Sequence, residues 1–292
     1  MVDLVLWAGT LGQASFDDRL RAAAAAGFTG MSVFPWDCRQ PDERGSRAPE
    51  LRRHADGLGI RLVALDPVST WLPERSTSTR REWADRVCRD RARFASLFNT
   101  YSTDECLSLA RDLGAHLVTV IEPYGCPIES EVAADAFAHV CDSAVGEDLR
   151  IQLEFMPFSG IADLRSAWDI VRQAGRPNGG LVLDAWHYFR SDHDHELLKS
   201  LAPNAIFSVQ LSDGPILPES DLWLAAAQNR RLPGAGDFDL MTMLALVHDG
   251  QPGATVGPEV VSTDLTALDP RQAAQLAVDT TAAVLAAAHY SA

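Results

Sequence analysis

The sequence predicts an α/β fold, a single (β/α)8 barrel over residues 1–292, and three observations carry that expectation. Short apolar runs alternate with helical segments at roughly 25 to 45 residues, the pattern of parallel strands joined by crossover helices. There are eight such runs, the number that closes a barrel. No linker or shift in composition divides the chain.

Taken in order, Val2 to Trp7 is β-like, and Ser15 can cap the Ala-rich helix after it, with Gly27 as the C-terminal stop. Gly30 to Phe34 and Arg61 to Asp66 repeat the strand pattern around a helical segment from about Pro49 to Leu58 that ends in Gly59. The fourth to eighth strands are expected at His116 to Ile121, Arg150 to Phe155, Gly180 to Asp184, Ala205 to Leu211 and Ala254 to Val261. Thr103 before Asp104-Glu105 and Asp163 before Leu164 to Ala174 are helix starts, and the last helix runs from about Pro270 to Ala288. Two connections are longer than the repeat needs, Pro67 to about Asn99 and Ser212 to Asp237. Both leave strand ends, where loops shape a barrel's active-site mouth.

A composition 47% hydrophobic and 22% charged can bury a large core. The formal net charge of -15 disfavours nucleic acid and anionic membranes, which call for a Lys/Arg face. Met1-Val2-Asp3 opens no secretory leader and no apolar run reaches spanning length, so a cytoplasmic location is expected. Five cysteines, at 38, 88, 106, 126 and 141, lack C-x-x-C spacing and fit neither a disulfide framework nor a thiolate zinc site.

Four polar residues fall at or near the ends of four consecutive strands: Glu154 in L-E-F, Asp184 in V-L-D-A-W-H, Gln210 in V-Q-L-S-D and Glu259 in G-P-E-V. Barrel strands are apolar on both faces, so a carboxylate inside such a run costs several kcal/mol unless it is paired or binds a cation. Three carboxylates and an amide oxygen are hard ligands suited to one Mg²⁺ or Mn²⁺. Such an ion, bound to a carbonyl and a neighbouring hydroxyl, stabilises an enediolate, and Glu154 and Glu259 are candidate bases. His187 lies just past the sixth strand, within reach of a substrate hydroxyl, where a general acid would favour loss of water. Trp7, Phe34, Trp36, Trp71, Phe155 and Trp186 fall near strand ends and are candidates for an apolar substrate wall. Pro233-Gly234-Ala235-Gly236 reads as a tight turn beside a ligand, and Ser191-Asp192-His193-Asp194-His195 as a solvated helix cap rather than a metal motif.

The segments L-E-F-M-P at 153–157, A-G-R-P-N-G-G-L-V-L-D-A-W-H at 174–187, V-Q-L-S-D-G at 209–214, R-x-x-P-G-x-G-D-F at 230–238 and P-E-V at 258–260 resemble the sugar phosphate isomerase/epimerase group of the xylose isomerase-like barrels. That superfamily includes inosose dehydratases, ketose 3-epimerases and 3-dehydroshikimate dehydratases and, more distantly, endonuclease IV. The resemblance implies that Glu154, Asp184, Gln210 and Glu259 hold one divalent metal, and that Arg230, with Arg231 as the fallback, contacts substrate oxygens. The seventh-strand ligand is most often histidine in the epimerases, so Gln210 is a departure, similar to the dehydroshikimate dehydratase branch.

The expected function is therefore metal-dependent isomerisation or epimerisation of a small polyhydroxylated carbonyl compound by proton abstraction next to the carbonyl, with Trp7, Trp36, Trp186, His187 and Arg230 binding the substrate. A dehydratase of the 3-dehydroshikimate or inosose type is the alternative, because the same enolate can expel a β-hydroxyl. A barrel that binds a ligand without turnover is a third reading. A multi-zinc endonuclease would need further strand-end histidines and a basic face. A homo-oligomer is left open.

Overall fold

A computed structural model describes residues 4–39, 46–73, 101–146, 148–251 and 253–290. Eight strands follow one another in a parallel sheet: β1 Val5–Leu6, β2 Gly30–Val33, β3 Arg61–Val68, β4 Leu117–Ile121, β5 Arg150–Glu154, β6 Gly179–Asp184, β7 Ile206–Leu211 and β8 Thr255–Pro258. Leu4 bridges Val256 in parallel, and the Trp7 amide donates to the Pro258 carbonyl at 3.3 Å. The sheet thereby comes back on itself as a (β/α)8 barrel. Its seam is tight: a Cβ on Gly257 would lie 1.7 Å from the Val5 carbonyl oxygen, so only glycine lets the first and last strands meet.

Every expected strand is present. The last is shorter than Ala254 to Val261, running from Thr255 to Pro258. Ser15 caps helix Phe16–Ala26 by accepting from the Asp18 amide, and Gly27 ends it at φ 86°. Asp163 likewise caps Leu164–Ala174. The cap of Thr103–Leu113 is Ser102, one residue ahead of the expected Thr103, in a reciprocal capping box with Glu105. Most of the long connection after β3, with Cys88, lies outside the described residues; that after β7 contains helix Leu222–Gln228. Among the described residues no helix is long and apolar enough to cross a membrane.

The main core lies between the helices and the outer face of the sheet. A second cluster joins Val5, Trp7, Val63, Ala64, Leu117 and Phe207. These come from β1, β3, β4 and β7 and from the residue after β1, and non-adjacent strands can meet this way only inside the barrel. Polar residues also fill the interior: Thr119, Gln152 and Ser208, all fully buried. Gln152 and Ser208 lie two residues before Glu154 and Gln210 on the same strand faces. The polar residues at the carboxyl ends of these strands thus stand above an interior that is already filled.

Candidate metal centre

Strand register brings the polar residues together. Asp184 pairs with Gln210 across β6 and β7, and Gln210 pairs with Gly257 across β7 and β8. Glu259 follows β8, and its flanks are held by Thr10, whose hydroxyl donates to the Pro258 carbonyl at 2.9 Å and accepts from the Val260 amide at 3.1 Å. Around the Gln210 amide, one terminal atom faces Glu259 Oε2 at 3.0 Å and Glu154 Oε1 at 3.3 Å. If that atom is the amide nitrogen, it donates to both carboxylates. If it is the oxygen, three oxygens crowd one point, and a cation is what relieves them.

Asp184 closes the other side. Its Oδ1 accepts from the His187 amide at 2.9 Å, capping helix Ala185–Arg190, and its Oδ2 accepts from Arg230 Nη1 at 2.6 Å. Arg230 is buried and also donates to the Glu259 carbonyl at 3.3 Å, to the Ala226 carbonyl at 3.0 Å and to His187 Nε2 at 3.1 Å. Its Nη1 lies 3.6 Å from Glu259 Oε2. Because arginine only donates, His187 accepts through Nε2 and carries its proton on Nδ1. His187 Nε2 is also 3.6 Å from Glu154 Oε1. Glu154, Asp184 and His187 each offer a ligand atom within 4.8 Å of the others, spacing that fits a metal ion.

The electrostatics follow from burial. Four carboxyls, Asp66, Glu154, Asp184 and Glu259, share this region with the guanidinium of Arg230. Burial, followed by repulsion from Asp66 and Asp184, pushes Glu154 well above the usual carboxylate range. Burial also pushes Glu259 well up, and Arg230 offsets it only in part. Asp184 is the exception: burial acts to raise it, yet Arg230, His187 and hydrogen bonds together hold it below its ordinary value. Burial, reinforced by Arg230, pushes His187 down to about 3, so its imidazole is neutral at physiological pH. A divalent cation fits this donor set because it would neutralise glutamates that otherwise retain protons.

The structure therefore groups Glu154, Asp184, His187, Gln210, Arg230 and Glu259. Arg231 is exposed and pairs with Asp213 through its backbone. Trp186 is buried beside His187, edge-on at 5.4 Å between ring centroids, with the Arg230 guanidinium 5.6 Å from its ring. Trp7 is buried with the inner apolar cluster, and Trp36 is half-buried, stacked on Phe34 at 4.4 Å. In the histidine-rich stretch, Asp194 caps helix His195–Ser200 and His195 Nδ1 meets the Tyr188 hydroxyl at 2.8 Å.

Sequence reasoning passed over three acids. Asp66, near the end of β3, is buried and electrostatically coupled to Glu154, Asp184 and Glu259. Its signal was the one used for Asp184, an aspartate closing an apolar strand run. Glu122, just after β4, shows the same signal but turns away: its carboxylate accepts from the amides of Tyr124, Gly125 and Gly160 and ties two loops together. Asp213 fastens the segment after Arg230, accepting from the amides of Gly214, Gly234 and Phe238 at 2.8, 3.0 and 3.0 Å. A Cβ on Gly236 would lie 2.3 Å from Asp213 Oδ1, which explains the second glycine of P-G-x-G.

The model of the xylose isomerase-like TIM barrel family matches residues 20–283. The chain belongs to that family. It is 31% identical over 233 residues to a 3-dehydroshikimate dehydratase of Pseudomonas aeruginosa, covering 79% of this chain and 33% of that protein. It is 27% identical over 155 residues to an inosose isomerase of Bacillus velezensis, covering 52% of this chain and 54% of that one. The chain thus spans about a third of the length of the dehydratase and about half that of the isomerase. The crystal structure of an IOLI protein with a binding zinc atom superposes with a TM-score of 0.80 at 19% identity, covering all of both chains, and shares the fold.

Proposed function

We propose that this barrel is a metal-dependent enzyme that removes a proton next to the carbonyl of a small polyhydroxylated compound and then releases water, a dehydratase of the 3-dehydroshikimate type. The observation that carries the proposal is the crowding of Glu154, Gln210 and Glu259 side chains around one point beside Asp184. In this reading Glu154, Asp184, Gln210 and Glu259 hold one Mn²⁺ or Mg²⁺. When bound, the ion polarises the carbonyl and lowers the cost of the charge that builds as the proton leaves.

The chain's own groups supply the rest. Glu154 and Glu259 each have a second oxygen that can take the proton once the carboxyl is ionised. Burial keeps His187 neutral, and Arg230, already against Asp184 and His187, fixes its tautomer. The carboxyl that takes the proton can return it to the departing β-hydroxyl, so that the two leave together as water. Elimination is favoured over reprotonation by Gln210 in place of histidine and by the similarity over 79% of the chain to a dehydratase. Isomerisation or epimerisation shares the first step and is supported by the shorter match to an inosose isomerase.

The test incubates the Mn²⁺-loaded protein with 3-dehydroshikimate and, separately, with an inosose. New absorbance from a conjugated product supports elimination. Deuterium uptake from solvent without new absorbance supports isomerisation instead. No metal by elemental analysis and no change in either substrate would leave only a ligand-binding barrel.

A further inference from the structure

Across the barrel interior, the Ser208 hydroxyl on β7 donates to Gln152 Oε1 on β5 at 2.5 Å, and Gln152 Nε2 donates to the Thr119 hydroxyl on β4 at 2.9 Å. Beside the Thr119 hydroxyl, across the β3–β4 register, stands the carboxyl of Asp66 on β3, which Thr119 acts to keep ionised, so the Thr119 proton is directed at that carboxyl. All four side chains are buried, Asp66 at 5% and the other three at 0% exposure. Each donor points the same way, so the chain has one direction and ends on an acceptor.

Local backbone geometry aims that end. Between β3 and β4 the register runs Leu65 to Val118 and then Val68 to Val120, so Asp66 and Pro67 stand against Thr119 alone. Ala64 and Leu117 pair on the inner face of the barrel, so Asp66 and Thr119, each two residues further on, share that inner face by the ordinary alternation of the strands. That placement brings Asp66 within electrostatic reach of Glu154, Asp184 and Glu259. For the fold alone this is a cost, because a further buried acid repels carboxyls that already need a cation.

We propose that Asp66 binds a substrate hydroxyl on the β3 side of the barrel mouth, and that the Ser208–Gln152–Thr119 chain holds its carboxylate in the orientation that accepts it. Thr119 occupies one of about four acceptor positions of the carboxylate and leaves others for a ligand. The ligand class is a ring or chain polyol whose hydroxyl lies away from the oxygens bound at the metal. Thr119 and Gln152 are positioning residues. The inference rests on the proposed function above and adds to it a determinant of substrate choice.

The test uses the full chain loaded with Mn²⁺, as wild type, Asp66→Asn, Thr119→Val and Thr119→Ser, assayed with 3-dehydroshikimate and an inosose. Asp66→Asn and Thr119→Val should each lower kcat/KM about tenfold or more, the worth of one hydrogen bond to a charged group, with the loss in KM. Thr119→Ser should restore it, and Mn²⁺ affinity should stay within about tenfold of wild type. A change in kcat/KM below about threefold in Asp66→Asn overturns the inference, as does a loss confined to kcat or a larger loss of Mn²⁺ affinity. Wild type inactive on both substrates refutes the proposed function instead. The inference is then read from calorimetric binding of myo-inositol to the same proteins, where no binding by wild type, or equal binding by Asp66→Asn, overturns it.

Discussion

Removing the cation while raising the pH should destabilise this protein in a calculable way. Asp66 ordinarily loses its proton at 3.8 and here holds it to about 7, chiefly because it is buried. Below about pH 4 the folded and unfolded chains both bind this proton, and stability is at its full value. As pH rises the unfolded chain releases the proton while the folded chain keeps it, so the folded state loses ground until about pH 7 and stays lower above it. A gap of about three in pKa, at about 1.4 kcal/mol each, gives ~4 kcal/mol from Asp66 alone. Between about pH 5 and pH 8 about two thirds of that is lost, ~3 kcal/mol, which for a chain of this length corresponds to a fall of about 4 °C in Tm. Glu154 and Glu259 move in the same direction. His187, held neutral in the folded chain, instead adds stability as pH rises from about 5 to 7, so the Asp66 part is isolated by comparing wild type with Asp66→Asn. The assay is thermal unfolding of chelator-treated protein at about pH 5 and pH 8, with and without Mn²⁺. Asp66→Asn, with no charge to lose, should change the pH 5 to pH 8 difference by that ~3 kcal/mol relative to wild type, and Mn²⁺ should stabilise far more at the higher pH. The same pH dependence of metal-free Tm in wild type and Asp66→Asn, or equal stabilisation by Mn²⁺ at both pH values, would refute the account of the centre as protons standing in for a cation.

Further outcomes follow from the same geometry. Glu154→Gln and Glu259→Gln should each abolish turnover while leaving the circular dichroism spectrum unchanged; full activity in either removes that residue from the mechanism. Gln210→Leu should weaken Mn²⁺ binding at least tenfold by calorimetry, because it removes the atom that faces both glutamates, and unchanged affinity would place the ion elsewhere. Asp213→Ala removes the acceptor for three amides and should cost about 3 kcal/mol in denaturant unfolding, with faster amide exchange over residues 232–238. Gly236→Ala should loosen the same segment, since its Cβ would collide with Asp213 Oδ1, and unaltered exchange in both variants would dismiss the fastening role.

The barrel and much of its centre were legible in the sequence because both depend on local pattern. Eight apolar runs with helical segments between them leave one economical closure, and an acid at the end of such a run stands out against a hydrophobic background. Glu154, Asp184, Gln210 and Glu259 are on that pattern. The same rule also marks Asp66 and Glu122, and it cannot separate them. One faces the barrel interior beside Thr119 and the other is spent on three backbone amides; strand register and loop packing decide which. Arg230 shows the same division: its motif pointed to substrate contact, whereas the folded chain also makes it the buried counter-charge of Asp184 and the partner that sets the tautomer of His187. The sequence by itself determined which strands form and which oxygens lie at their ends, because period and polarity are local. Only the tertiary structure decided which of those oxygens converge, since convergence depends on register between strands far apart in the chain and on the desolvation that burial imposes.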